Sequence, residues 1–316
     1  MVYVLNDLHG AAKLIAKAID AISGMKSGDI LVINGDGAGA RGPVMNGVVK
    51  IYYEVRRGET DVAQLKDAVA AIIGEEPAIP ESWIYQAVHA GMFRKLMADK
   101  YPAFRKCMND ELKAVLTDTL KPISESAKAK DVQVIYSAGN GEIVPDDFKT
   151  DDITVEHAVQ PEDRYYQKLA REGFFDKFGI EYVSYGKKLP GGIAIVSTNL
   201  LDLGESKMYV QMNKCGLLEG VFSTIIVHYP PTVAPIGKSF DFWNPNCSDV
   251  RRIEMLTRVL HVLPSTIDPF IRIFFGHIHL GANDPRMDTY PDMMGFTLRS
   301  GRQAYWVKPG AVIGIN

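Results

Sequence analysis

Near its start the chain reads VYVLNDLHG (residues 2–10), an apolar run followed by a polar turn that ends in glycine. The apolar part, Val2 to Leu5, predicts a short buried strand. Ala11 to Ser23 then carries apolar residues at helical spacing, and Asp29 to Asn34 gives a second apolar strand. This order is a βαβ unit, which makes its two strands parallel and predicts an α/β fold.

Both strands of this unit end in polar turns. Asp7 and His9 follow the first strand, and Asp36 follows the second within GDGAG (residues 35–39). A right-handed crossover between parallel strands places the turns that follow them on one edge of the sheet. We therefore expect Asp7, His9 and Asp36 to converge.

Three later apolar runs end in the same way, at Asn140, at His228 and at the pair His277 and His279. The last two are separated by one residue in an extended segment, so their side chains point to the same side. Four of the seven histidines of the chain thus lie at predicted strand ends. A set of metal ligands gathered from five strand ends is the interpretation that this pattern favours.

The chemistry of these groups indicates which ions they would bind. Carboxylates, an amide and imidazoles without a thiolate suit Mn²⁺, Fe, Zn²⁺, Ni²⁺ or Co²⁺ rather than Ca²⁺ or a structural zinc. Seven such groups are too many for one catalytic ion and suit two. Two ions about 3.5 to 4 Å apart can clamp a phosphate and lower the pKa of a bridging water, so phosphoester hydrolysis is the expected reaction.

Short motifs in this set resemble those of a known family. Asp7-Leu8-His9, Gly35-Asp36, Gly139-Asn140, His228 and Gly276-His277-Ile278-His279 are similar, in order and context, to the motifs of the calcineurin-like metallophosphoesterases. Those motifs are D-x-H, G-D, G-N-H-[DE], a lone His and G-H-x-H. The resemblance covers the chain from Val2 to His279 outside residues 43–130, and we expect it to include the turn at Lys308-Pro309-Gly310.

The resemblance implies a fold, a reaction and a division of ligands. The fold would be a four-layer β-sandwich of mixed sheets flanked by helices, and the reaction would be hydrolysis of a phosphodiester or phosphomonoester through a metal-bridging hydroxide. Two divalent ions are implied, with Mn²⁺ expected first. Asp7, His9 and His279 would bind one ion, Asn140, His228 and His277 would bind the other, and Asp36 would bridge both.

The chain departs from the family pattern where the motif G-N-H-[DE] carries its histidine. Gly141 stands there, whereas in the family that His helps the leaving group depart. One hypothesis is that His89 or His157 replaces it from elsewhere in the chain. Glu142 keeps the acidic place of the motif and is a candidate for a contact to a ligand.

The turn after Asp36 also differs, because it lacks the second Asp of the phosphatase pattern G-D-x-x-D-R-G. Arg41 remains a candidate for binding a phosphate oxygen, with an ordinary surface role as the alternative. Tyr229, next to two prolines, could line the pocket or serve the structure.

Length and composition limit the remaining possibilities. We expect one domain over residues 1–316, with helices at about 43–130 inserted as a cap beside the site or simply covering the sheet. A net charge of −3 gives no indication of nucleic-acid binding, so a small phosphoester or nucleotide is the expected substrate. Three scattered cysteines and the lack of a long apolar run favour a cytoplasmic protein without membrane contact. The oligomeric state is left open.

One alternative belongs to a different class of function. A metallophosphoesterase scaffold that has lost catalysis and serves as a binding subunit would explain Gly141. The seven retained ligand-type residues favour the enzyme.

Overall fold

The computed structural model describes residues 1–37, 42–74, 80–89, 93, 97, 100–140, 164–245, 247–263, 271–280 and 284–315. The strands are β1 (Val2–Leu5), β2 (Ile30–Asn34), β3 (Gln133–Ser137), β4 (Ile180–Val183), β5 (Gly186–Leu189), β6 (Ile193–Val196), β7 (Thr224–Val227), β8 (Arg272–Phe275), β9 (Met293–Thr297), β10 (Gln303–Val307) and β11 (Val312–Ile315). The α-helices are α1 (Ala12–Ser23), α2 (Pro43–Arg56), α3 (Val62–Ile73), α4 (Glu81–His89), α5 (Pro102–Ala129), α6 (Tyr165–Arg171), α7 (Thr198–Leu201), α8 (Glu205–Lys214), α9 (Ala234–Ser239) and α10 (Cys247–Val262).

These strands form two mixed sheets. The first has the order β11-β1-β2-β3-β4, in which β1 to β4 run parallel and β11 is antiparallel. The second has the order β5-β6-β7-β8-β10-β9, with a parallel centre and antiparallel edges. Val4 lies opposite Val32 in the parallel pair β1 and β2, so the predicted βαβ unit and α/β class are confirmed.

Apolar side chains pack against both faces of each sheet, so both faces are buried. Between the sheets, Val4 and Val32 share one buried cluster with Ile226 and Phe274. Helices α1 and α5 cover the outer face of the first sheet, and α7, α8 and α10 cover that of the second. Two mixed sheets flanked by helices are therefore present, as predicted.

Helices fill most of the described part of residues 43–130. Helix α5 packs with α1 and contacts β3 of the first sheet. Helices α2 and α3 pack on α5, and α2, α3 and α4 pack on one another. Glu111 of α5 accepts hydrogen bonds of 2.8 Å from the backbone N–H groups of Val44 and Met45, so it caps α2 just after the turn that carries Asp36. Part of the predicted insertion thus covers the sheet, and a cap role for the rest stays a prediction.

Two local expectations were wrong. The sequence predicts one helix from Pro161 to Phe178, but α6 ends at Arg171 and a separate 3-10 helix covers Asp176–Phe178. Gly173 adopts φ +68° between them and interrupts the helix. Strand β5 was missed because its residues, GKKL, have no apolar alternation; it pairs at the edge of the second sheet.

Over the residues described, no helix combines the length and apolar character needed to cross a membrane.

Candidate metal centre

The turns that follow β1 and β2 lie side by side. The backbone N–H groups of Asp7, His9 and Gly10 donate to the carbonyls of Gly35, Asp36 and Gly37 at 3.2, 2.8 and 3.1 Å. These bonds continue the pairing of the two strands beyond the sheet. The predicted convergence of Asp7, His9 and Asp36 is thus a direct result of the parallel register.

Three hydrogen bonds join these turns to the strand ends of the second sheet. Asn34 donates through Nδ2 to the Val227 carbonyl at 2.8 Å, and the backbone N–H of His277 donates to Asp7 Oδ2 at 3.1 Å. His228 Nδ1 lies 3.1 Å from the Asn34 carbonyl. Because the sheets are packed face to face, the ends of β1, β2, β7 and β8 meet at one place.

The backbone at this place is strained. Five described residues other than glycine have a φ in the left-handed region, and four of them are predicted ligands: Asp7 (54°), His9 (49°), Asp36 (49°) and His277 (67°). A residue with a side chain loses roughly 1 kcal/mol or more in this conformation. The hydrogen bonds between the turns offset that cost and fix the direction of each ligand.

Glycines bring the backbone close to the ligands. A Cβ atom on Gly139 would overlap Asp36 Oδ1, and one on Gly276 would overlap Asp7 Oδ2. On Gly35, whose φ is +86°, it would lie 2.5 Å from His228 Nδ1. Each glycine that precedes a ligand in the sequence therefore leaves the space that another ligand occupies.

The first group of ligands comprises Asp7, His9, Asp36 and His279, whose donor atoms all lie within 4.8 Å of one another. His9 Nε2 and His279 Nε2 face each other at 2.8 Å, and Asp7 Oδ1 lies 3.8 Å from His279 Nε2. His279 Nδ1 lies 2.8 Å from the Leu280 carbonyl, to which a neutral ring donates its proton, so Nε2 keeps its lone pair. These four residues could hold a metal ion.

The second group comprises Asp36, Asn140, His228 and His277. Asn140 Oδ1 lies 2.8 Å from His228 Nε2 and 2.7 Å from His277 Nδ1. The contact of His228 Nδ1 with the Asn34 carbonyl leaves Nε2 as the lone-pair nitrogen of that ring. An amide oxygen and two imidazole nitrogens therefore meet at a second point.

Asp36 lies between the groups. Its Oδ2 is 3.8 Å from His9 Nε2 of the first group, and its Oδ1 is 3.6 Å from His228 Nε2 of the second. The two imidazoles of the G-H-x-H segment separate accordingly, with His279 in the first group and His277 in the second. The donor set, all oxygen and imidazole nitrogen, fits divalent first-row cations.

Burial lowers the pKa of two histidines of the site, His9 and His277. Burial and the neighbouring imidazoles of His279 and His228 lower the pKa of His9 well below its usual value. Burial also lowers the pKa of His277, although Asp249 opposes the shift. Because only the neutral ring binds a cation, both side chains are ready to bind one at neutral pH.

Residues that the sequence did not indicate support the second group. Asp249 of α10 is buried, and its Oδ1 lies 3.3 Å from His277 Nε2. Arg252, one turn later, donates to the Tyr229 hydroxyl at 2.7 Å and forms an ion pair with Asp202. Tyr229 is fully buried with its ring 4.2 Å from that of His277, so it supports the site from behind and does not line a pocket. No local motif marks these residues.

Arg41, Gly141, Glu142 and His157 lie outside the described residues. His89 is exposed at the end of α4, with its ring 4.2 Å from that of Tyr85. The assignment of each ligand to a particular ion stays a prediction.

No protein-family model matches this chain, and no curated protein sequence matches it. Among solved structures, it is similar to the crystal structure of phosphopantetheinyl hydrolase from Mycobacterium tuberculosis. The identity is 10%, the match covers 98% of this chain and 89% of that one, and the TM-score is 0.38. A similarity of this size carries no inference about function, so the function proposed below depends on the geometry of the site alone.

Proposed function

We propose that this chain is a dinuclear metal-dependent phosphoesterase of the calcineurin-like metallophosphoesterase type. The observation that carries the proposal is the position of Asp36, whose two oxygens face two separate groups of candidate ligands. A carboxylate placed in this way suits a bridge between two cations. The helices on the outer faces of two packed sheets support the four-layer arrangement that goes with this type.

Each group would bind one of the two ions. Asp7, His9 and His279 would hold one, and Asn140, His228 and His277 would hold the other. Mn²⁺ is the first choice, with Fe, Zn²⁺, Ni²⁺ and Co²⁺ as alternatives. A bound pair supplies Lewis acidity and lowers the pKa of water for attack on phosphorus. The protein contributes fixed lone pairs, because His228 and His279 each direct the other ring nitrogen to a backbone carbonyl.

The substrate would approach from the side of the first group. His9 and His279 expose 25% and 19% of their side chains, whereas His277 and His228 expose 10% and 1%. The net charge of −3 gives no broad basic surface for nucleic acid, so we infer a small phosphodiester, phosphomonoester or nucleotide. Arg41 is the proposed contact to a phosphate oxygen.

An assay with artificial substrates tests the proposal. Bis-p-nitrophenyl phosphate and p-nitrophenyl phosphate should release nitrophenol when Mn²⁺ is added, and Asp36→Asn or His228→Ala should abolish the release. Asp20→Asn, which removes a carboxylate from the exposed face of α1, is the matched control and should retain full activity.

The second candidate is a scaffold that binds metal without turnover, which Gly141 favours because the family histidine is missing there. Calorimetry separates the two. If the chain binds two ions but hydrolyses neither substrate with any of the five metals added, the result would contradict the enzyme hypothesis and support the scaffold hypothesis.

A further inference from the structure

The ring of His277 is held from two sides. Its Nδ1 lies 2.7 Å from Asn140 Oδ1, inside the second group, and its Nε2 lies 3.3 Å from Asp249 Oδ1. Because the two nitrogens sit on different edges of the imidazole, Asp249 is behind the ring, away from the ligands. A carboxylate in this position accepts the Nε2 proton of a neutral imidazole.

The position of Asp249 is fixed by its own helix. Arg252, three residues later on α10, places Nε and Nη2 2.6 and 3.1 Å from the two oxygens of Asp202. Arg164, which is also buried, adds a bond of 2.8 Å to the same carboxylate. This buried network sets the rotation of α10, so that Asp249 faces His277.

The other contacts of the ring leave it little freedom. Tyr229 lies on one side, with ring centroids 4.2 Å apart, and His228 lies edge-on at 5.2 Å. The Tyr229 hydroxyl accepts from Arg252 at 2.7 Å. The same helix turn therefore supports His277 directly through Asp249 and indirectly through Tyr229.

We propose that Asp249 is a positioning residue for the second metal site. Its carboxylate accepts the Nε2–H of His277, fixes the ring in that tautomer, and leaves the Nδ1 lone pair directed at the point that Asn140 and His228 share. The inference rests on the proposed function in that the second group is taken to bind a cation. It assigns to Asp249 no contact with substrate or cation.

Titration calorimetry with Mn²⁺ on the metal-free full chain tests this role. Asp249→Asn, which keeps the shape, and Asp249→Ala should each weaken one of the two binding events by about 10- to 100-fold. The other event should change less than about threefold, since Asp249 acts on the second group through its contact with His277. Glu254→Gln, an exposed carboxylate on the same helix, is the matched control and should bind like wild type.

A second measurement needs no metal. In protein labelled with ¹⁵N-histidine, two-bond ¹H–¹⁵N spectra distinguish the tautomers, and the His277 signal is the one missing from His277→Gln. Wild type should show the Nε2–H form, and Asp249→Ala should shift His277 toward the other form. An unchanged tautomer in Asp249→Ala, or unchanged Mn²⁺ binding in both folded variants, would overturn the proposal.

The two measurements also separate this inference from the function on which it rests. Failure of the folded wild-type chain to bind two ions would contradict the dinuclear phosphoesterase. The tautomer of metal-free His277 would then decide the role of Asp249 by itself.

Discussion

The two ligand groups share Asp36 but are supported in different ways. The first group is partly exposed and is held mainly by backbone: the turns after β1 and β2 pair with each other, and the His277 N–H binds Asp7. In the second group His228 is fully buried and His277 is half-buried, and the ring of His277 contacts Asp249 from α10. Backbone pairing follows from the order of strands, whereas the side-chain support depends on how a distant helix docks. The two halves should therefore fail differently when they are mutated.

The largest effect is expected where the halves meet. Asp36→Asn removes the charge that both groups share, and Asn tolerates the positive φ of this position. We expect kcat/KM for bis-p-nitrophenyl phosphate with Mn²⁺ to fall by about 10³-fold or more, about 4 kcal/mol of transition-state stabilisation. Loss of both binding events in calorimetry would support a bridging role, whereas full loss of one event with the other unchanged would contradict it.

The buried network behind the second group should matter most for stability. Arg252 and Arg164 lower the pKa of Asp202 even though burial alone would raise it. Asp202→Asn leaves the guanidinium groups of the buried Arg164 and the half-buried Arg252 without their counter-charge and should reduce the free energy of unfolding in urea by about 3 kcal/mol at neutral pH. Glu172→Gln, which removes an exposed partner of Lys168, should change it by less than about 0.5 kcal/mol.

The difference in unfolding free energy between wild type and Asp202→Asn should depend on pH in a definite direction. A carboxyl with a lowered folded pKa stabilises the protein above its unfolded pKa of about 3.9, and this contribution is lost as the pH falls through the lower folded value. The gap between wild type and Asp202→Asn should thus stay constant from about pH 7 to pH 5 and shrink below about pH 4. A gap that instead widens in acid would show that Asp202 is not ionised in the folded protein.

A substitution at Gly276 tests the packing of the first ligand group through stability and metal binding. A methyl group on Gly276 would meet Asp7 Oδ2 and lie 2.8 Å from Asn6 Cβ, so Gly276→Ala should destabilise the chain by about 2 kcal/mol and weaken Mn²⁺ binding at the first site. Gly47→Ala is the control, since its Cβ on α2 meets open space and should stabilise by up to about 1 kcal/mol. Equal unfolding curves for the two variants would show that Asp7 is not closely packed.

The contrast between the halves also separates what the sequence could predict from what it could not. Asp7, Asp36 and His228 each follow closely after an apolar run, so a local pattern places them at a sheet edge. The parallel register of β1 and β2 and the packing of the two sheets bring them together. No local sequence pattern marks Asp249, the residue that supports His277. Asp249 lies on a helix whose docking depends on Arg252 reaching Asp202, 50 residues earlier in the chain.

Backbone strain was likewise hidden in the sequence. Glycine is the residue that signals a positive φ, and Gly10 and Gly35 adopt one. Asp7, His9 and Asp36 adopt the same conformation with side chains attached, because neighbouring turns hold them there. Residue type alone cannot show a strain that tertiary hydrogen bonds impose.

The smallest effect is expected at His89, one of the two histidines considered as a replacement for the residue missing at Gly141. His89 is exposed, and its ring lies against that of Tyr85 on the same helix, α4. His89→Gln should leave kcat/KM for both nitrophenyl substrates within about twofold, since an exposed histidine away from the reacting atoms makes no transition-state contact. Bis-p-nitrophenyl phosphate and p-nitrophenyl phosphate share a good leaving group, which needs little help from a proton donor. The decisive readout is therefore a plain alkyl phosphate, whose leaving group is poor, compared with the nitrophenyl esters. A loss confined to the poor alkyl leaving group would identify His89 as its proton donor and would place α4 beside the first group.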